Sequence, residues 1–187
     1  MADLRHHPAV SRRRRTATLR ALVCALALLG GASQAAADTL AEYRVKAGFL
    51  FNFIAFTEWP VDVASTLNVC VYGPDPFGAE LDRFQGRTIG GRSLVVVRTS
   101  RADDLGICQI VFISRPAIDN LPRVLDTVNG KPVLTVADSP GAMRQGVALN
   151  MGTRQARVTF EANLAAAREN RLNISSKLLN LASEVRQ

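Results

Sequence analysis

Cys108-Gln109-Ile110-Val111-Phe112-Ile113-Ser114 is a short apolar run rich in β-branched residues, and its reading decides the fold. Three similar runs accompany it, Leu67 to Tyr72, Leu94 to Arg98 and Pro132 to Val136. A strand with one wet face alternates apolar and polar residues; runs this short and continuously apolar are strands buried on both faces. Between them, Gly78 to Phe84 and Ala117 to Val128 read as helices. Strands that alternate with helices build an α/β domain, here a single three-layer domain with a mainly parallel sheet and flanking helices. Gly146 to Met151 and Ala156 to Phe160 follow each other closely enough to form an antiparallel hairpin at the C-terminal edge of that sheet. The chain then reads as two helices, Ala162 to Glu169 and Ile174 to Val185. The second carries Ile174, Leu178, Leu181 and Val185 on one stripe.

Toward the N-terminus, Thr39 with Glu42 three residues on makes a capping box, and Leu40 to Thr57 reads as a helix that ends before Pro60. Phe49, Phe53 and Phe56 share one face, Leu50 and Ile54 another, and Phe51 a third. A helix apolar nearly all round is buried on several sides or meets a partner.

Before that helix, Arg5, Arg12, Arg13, Arg14, Arg15 and Arg20 lead into the apolar stretch Ala21 to Leu29, and Ala35 and Ala37 place small residues at the −3 and −1 positions of a cleavage site. This is the three-part pattern of a secretory signal, expected to be removed after Ala37 and to leave Asp38 at the new N-terminus. Its apolar core is about half of the roughly 20 residues that a spanning helix needs. Cys24 opens that core, where a lipid-attachment cysteine would not lie.

Residues 1–37 hold six of the 23 basic and one of the 16 acidic residues, so the remainder carries a net charge near +2. The basic character belongs to the export signal and gives no argument for nucleic-acid binding. The remaining 150 residues suffice for one domain with a real core. Both histidines, His6 and His7, leave with the signal, which excludes histidine triads, imidazole metal sites and histidine acid–base chemistry. Cys70 and Cys108 remain. Two ligands do not make a structural metal centre, and in an oxidising compartment such a pair forms a disulfide if its strands are neighbours; two buried free thiols are the other outcome.

No chemical motif stands out. Gly90-Gly91-Arg92 lacks the lysine and hydroxyl of a phosphate loop and reads as a turn before a strand. Asp75, Asp103 and Asp104 are candidate carboxylates, yet turn chemistry accounts for all three. Ser175-Ser176-Lys177 departs from the Ser-x-x-Lys spacing and, with Asn173 upstream, reads as a helix start. Neither a metal nor a cofactor is implied.

Phe49-Leu50-Phe51-Asn52-Phe53, closing on Phe56-Thr57-Glu58-Trp59-Pro60, resembles the opening signature of the YfiR-like periplasmic proteins. Asp75-Pro76-Phe77-Gly78, the strand from Cys108 to Ser114, Pro132-Val133-Leu134-Thr135-Val136-Ala137-Asp138 and Ile174-Ser175-Ser176-Lys177-Leu178-Leu179 follow in the same order. The resemblance spans nearly the whole chain after residue 37. It implies a regulator that represses an inner-membrane diguanylate cyclase by binding its periplasmic portion, and that is itself sequestered by an outer-membrane lipoprotein, so that envelope state controls cyclic-di-GMP and biofilm formation. Members of the family dimerise and respond to redox conditions through cysteines. Cys70 and Cys108 match family cysteine positions, whereas the second pair of some members is absent.

The expected function is therefore contact, with Phe49, Phe53 and Phe56 of the first helix and Ile174, Leu178, Leu181 and Val185 of the last as partner-binding candidates. The alternative is a periplasmic small-ligand-binding domain, in which the loops at Asp75-Pro76-Phe77-Gly78 and Asp138-Ser139-Pro140-Gly141 form a pocket at the carboxyl ends of the sheet. Asp75, Phe77 and Asp138 are its candidate residues. A hydrolase built on Asp75 or Asp138 lacks any visible nucleophile–base pair.

Overall fold

The computed structural model describes residues 38–60 and 65–187. The chain divides into two compact units, Met1–Ala41 and Glu42–Gln187. Of the first, residues 38–41 are described and are helical, so Thr39 lies within a helix where a capping position was expected. The export signal and its cleavage after Ala37 lie outside the described residues. Among the described residues, no helix is long and apolar enough to cross a membrane.

The second unit opens with helix α1, residues 42–55. The helix stops two residues short of expectation because Thr57 turns its hydroxyl back to the Phe53 carbonyl (2.7 Å). Thr57 then enters the two-residue strand β1, Thr57–Glu58. The four apolar runs become β2 (Thr66–Tyr72), β4 (Arg92–Thr99), β5 (Ile110–Ile113) and β6 (Leu134–Ala137). Helix α2 (Ala79–Asp82) and β3 (Thr88–Ile89) lie between β2 and β4, and α3 (Leu121–Val128) lies between β5 and β6. The hairpin is β7 (Leu149–Arg154) with β8 (Arg157–Asn163), antiparallel throughout; its two-residue turn holds Gln155 at φ 50° and Ala156 at φ 58°. Helix α4 (Leu164–Glu169), β9 (Asn173–Ile174), the single-turn α5 (Ser176–Leu179) and β10 (Glu184–Arg186) complete the chain.

The main sheet has eight strands in the order β10-β8-β7-β6-β5-β2-β4-β3, with β1 and β9 forming a separate antiparallel pair. Strands β4, β2, β5, β6 and β7 run parallel, β3 is antiparallel to β4 and β8 to β7, and β10 runs parallel to β8. Each central strand serves two cores. Val69, Val71, Ile110, Phe112 and Val136 face α1, while Cys70, Tyr72, Val111, Ile113 and Ala137 face α3. That double burial is why these runs carry no polar alternation. From α1, Ala47, Leu50, Phe53 and Ile54 enter the first core, where the Phe53 and Phe160 rings meet edge to face at 5.0 Å.

The helix expected from Ile174 to Val185 is not present. Ile174 pairs with Thr57 in the β1–β9 ladder, only one turn is helical, and Glu184–Arg186 lies parallel to β8. The spacing 174, 178, 181, 185 imitates a helical stripe, but two competing pairings win. β10 supplies hydrogen-bond partners for β8, which would otherwise be an open sheet edge. Ser183 anchors the approach, its amide and hydroxyl both donating to the Phe160 carbonyl at 2.8 and 2.9 Å.

Candidate functional site

Helix α1 crosses the carboxyl ends of β5 and β6 with one charged residue on its buried face. Lys46 has no exposed surface, and its ammonium meets the Asp138 carboxylate at 2.6 Å. Asp138 is the first residue after β6, on the α1 side of the sheet, and is 1% exposed. The same carboxylate oxygen, Oδ2, accepts from the Tyr43 hydroxyl at 2.8 Å and lies 3.6 Å from Arg115 Nε, which donates to the Asp138 carbonyl at 2.9 Å. Glu42, one turn before Lys46, forms a second ion pair with its ammonium. The Tyr43 ring lies 4.5 Å from that ammonium. A buried charge persists when it is paired and hydrogen-bonded, and this cluster meets both conditions for Lys46.

The environment moves two of these groups away from their ordinary titration range. Burial, then the hydrogen bond to Asp138 and its negative charge, push the Tyr43 hydroxyl well above its usual value near 10. Burial raises Glu42, but the hydrogen bond and charge of Lys46, with a hydrogen bond from Thr153, outweigh it and hold the carboxyl below the ordinary 4.5. The two effects act at opposite ends of the pH scale. Tyr43 contributes stability that is present below pH 10 and lost as pH rises above it, because the unfolded chain ionises first. Glu42 contributes stability present above pH 4.5 and lost as pH falls through the depressed value. Melting temperatures across pH should show both limbs, Tyr43→Phe flattening the alkaline one and Glu42→Gln the acidic one. A Tyr43→Phe profile that parallels the native one above pH 10 would refute the alkaline assignment.

Beyond the end of β6, the β7–β8 hairpin projects past the sheet and bounds a cleft of about 440 Å³ with Arg115, Asp138, Arg144, Asn150, Arg154 and Glu161 on its walls. Asn150 and Glu161 face each other across the ladder, the Asn150 amide donating to Glu161 Oε2 at 3.3 Å. The buried hydroxyls of Ser114 and Ser139 have no hydrogen-bond partner, so no base activates either as a nucleophile.

Of the ligand-loop candidates, Asp138 lines this cleft and Asp75 and Phe77 do not. Asp75 braces its own loop: Oδ1 accepts from the Phe77 amide at 2.7 Å and Oδ2 from Arg98 Nε at 2.7 Å, while Arg98 also donates to Asp82. Phe77 is buried as a plug, edge to face with Phe112 at 4.7 Å and Tyr43 at 5.4 Å. The turn readings of Asp104, which accepts from the Thr99 hydroxyl, and of Ser175, whose side chain caps α5, agree with the geometry.

The contact candidates divide by burial. Phe53, Ile174 and Leu178 belong to the core, Phe49 is half-buried against Phe53 and Phe160, and Phe56, Leu181 and Val185 are exposed, Leu181 at 71%. Sequence reasoning passed over Lys46 altogether. Its signal was present: a lysine among apolar residues, one turn after a glutamate, in a helix expected to be buried on several sides.

Cys70 and Cys108 are joined by a disulfide, with Cα atoms 5.9 Å apart. Cys70 lies within β2, and Cys108 ends the turn that leads into β5, so the bond ties the body of β2 to the entry of its parallel neighbour β5.

A solved structure of a conserved domain protein from Vibrio cholerae O1 biovar El Tor str. N16961 superimposes with a TM-score of 0.52 at 9% identity, over 77% of this chain and 60% of that one. The chain thus spans less than two thirds of that protein's length, and the likeness is one of fold. The profile of the YfiR/HmsC-like proteins matches residues 43–183, which takes in α1 after Glu42, every strand of the main sheet except β10, the buried Lys46–Asp138 pair and the disulfide. The chain belongs to the YfiR/HmsC-like family.

Proposed function

We propose that the protein is a periplasmic repressor that silences an inner-membrane diguanylate cyclase by contact, lowering cyclic-di-GMP and biofilm formation. The family match carries this reading: YfiR/HmsC-like proteins regulate diguanylate cyclase signalling and are regulatory rather than catalytic. Family members are periplasmic, in keeping with an N-terminal export signal removed after Ala37. On this reading, the chain pairs with the periplasmic portion of the cyclase, is sequestered by an outer-membrane lipoprotein and forms a homodimer.

Repression by contact requires different affinities for the two states of the target. Moving a partner from almost wholly active to almost wholly silent takes about 5.5 kcal/mol of such preference. The exposed apolar residues Phe56, Leu181 and Val185 are the contact candidates that burial leaves available. The β1–β9 region brings two of their segments together, since the Ser175 amide donates to the Phe56 carbonyl six residues before Leu181.

Deleting the gene should raise cyclic-di-GMP in a host that carries the matching cyclase. Leu181→Asp and Phe56→Asp should reproduce the rise while altering stability by no more than about 0.5 kcal/mol, as is usual for exposed positions. Both are read by cyclic-di-GMP quantification alongside thermal melting. Unchanged cyclic-di-GMP after deletion, with the cyclase present and competent, refutes the proposal.

A further inference from the structure

We propose that Asn129, at the turn from α3 into β6, is a site of spontaneous deamidation to aspartate and isoaspartate, and that the buried Asn170 slows the reaction by holding the Gly130 amide. This rests on the chemistry of that turn and not on the contact reading.

Of the asparagines in the chain, only Asn129 precedes a glycine; the others precede leucine, isoleucine, valine, methionine, phenylalanine or arginine. The Gly130 nitrogen, having given its proton to hydroxide, attacks Asn129 Cγ. A bond forms between them, the bond from Cγ to the side-chain nitrogen breaks, and that nitrogen takes a proton from water and leaves as ammonia. Water then adds to either carbonyl of the cyclic imide, opening it to aspartate or isoaspartate. In sum, water replaces ammonia, and nothing is oxidised or reduced. A side chain on the following residue crowds the ring, and glycine has none. Both residues are exposed, so water and hydroxide reach them, and a Cβ built on Gly130 would meet no described atom within 4 Å.

The fold opposes this chemistry at one point. The Gly130 amide donates to Asn170 Oδ1 at 3.0 Å, and Asn170 Nδ2 donates to the Val133 carbonyl at 2.9 Å. Asn170 is 8% exposed, and these two bonds fix the orientation of its amide. The attacking nitrogen is therefore engaged through the proton it must lose. It also points away from its target: ring closure needs it eclipsed with Asn129 Cβ, and at ψ 131° it is turned far from that position. Reaction requires the turn to open, rotating Asn129 and breaking the bond to Asn170. Exposed turns open at a small cost in free energy, so the rate is lowered and not abolished. Asp126 and Glu169 line the same recess as Asn129, about 220 Å³, so the new carboxylate meets two like charges. Isoaspartate also lengthens the main chain between α3 and β6 by one atom, which draws Gly130 off Asn170.

Incubating the purified protein at mildly alkaline pH, folded in buffer and unfolded in urea, tests the proposal by peptide mapping that separates asparagine, aspartate and isoaspartate. Asn129 should be converted faster than every other asparagine in both conditions, and at least about tenfold more slowly in the folded protein. Asn170→Ala, shown to be folded by thermal melting, should convert about fivefold to tenfold faster than the native protein, the effect of one hydrogen bond of ordinary net strength. Asn170→Asp keeps an acceptor for the Gly130 amide and should stay near the native rate. If Asn170→Ala does not fold, amide hydrogen exchange of the native protein decides: a Gly130 amide protected about tenfold or more supports the brake, and an unprotected one overturns it. Equal rates in the folded and unfolded protein, or a folded Asn170→Ala that converts at the native rate, overturn the role of Asn170. No product at Asn129 in the folded protein after prolonged incubation overturns the site.

Discussion

Replacing Lys46 with methionine should destabilise the protein by about 3–5 kcal/mol, the range for breaking a buried ion pair by removing one partner. Methionine matches the lysine stem in volume and leaves no large cavity, so the loss reports the charge. Without the ammonium, the wholly buried Asp138 carboxylate keeps only Tyr43 and the more distant Arg115, and Glu42 loses its partner as well. Adding Asp138→Asn to Lys46→Met should recover much of the deficit, because a neutral amide still accepts from Tyr43 and leaves no uncompensated charge. Denaturant titrations of both single variants and the double variant form the cycle that isolates this coupling. A Lys46→Met protein within about 1 kcal/mol of the native one would mean that the cluster contributes little to stability.

The second large effect belongs to the disulfide. The pair Cys70–Cys108 closes a loop with a sequence separation of 38 residues, and removing such a bond from a small domain costs about 2–5 kcal/mol. Part of that is chain entropy, since the bond excludes unfolded conformations in which β2 and β5 are far apart. Both sulfurs are buried, so Cys70→Ala with Cys108→Ala also removes packing atoms from the core beneath α3. Melting with and without a reductant separates the contributions: reductant should lower the native melting temperature and leave the double variant unmoved. A native protein that melts at the same temperature with its thiols demonstrably reduced would contradict this account. Any loss of repression on reduction would then follow from the instability of the fold and would not by itself identify a redox sensor.

The parts of the fold legible in the sequence are those in which one local pattern has no competitor. β2, β5 and β6 are buried on both faces, so their apolar runs are continuous and unambiguous, and β4, mostly half-buried beside the edge strand, keeps a legible valine run. The C-terminal segment was misread because Ile174, Leu178, Leu181 and Val185 satisfy a helical period by coincidence, while the backbone of β1 and β8 needed strand partners there. Nothing local announces a two- or three-residue strand whose existence depends on a distant edge, and β3 escaped notice for the same reason.

The candidate site shows the same division. Asp138 drew attention for its place at the end of a strand and lines the cleft, whereas Asp75 is bound to Arg98 and Phe77 packs against Phe112. The companions of Asp138, Lys46 and Tyr43, stand 92 and 95 residues earlier in the chain. A charged residue in an amphipathic helix is ordinarily solvated, so only the assembled packing distinguishes Lys46 from a surface lysine. Likewise, Asp75 and Asp104 were recognisable as turn formers because each accepts from a near neighbour in the chain, the Phe77 amide and the Thr99 hydroxyl.

The turn joining β7 to β8 places Gln155 and Ala156 in left-handed backbone, which costs a residue with a Cβ about 1–2 kcal/mol per position relative to glycine. A turn of that kind does not dictate the hairpin. The six-rung ladder from Leu149↔Ala162 to Arg154↔Arg157 imposes the bend on its tip. Register is thus determined from the sheet inward end, and residues 155 and 156 are free to drift in evolution, or to be exchanged for Asn-Gly, without displacing Asn150 or Glu161. The hairpin separates a tip open to variation from a base under geometric constraint, so a surface could diverge there while the cleft beneath it stays unchanged.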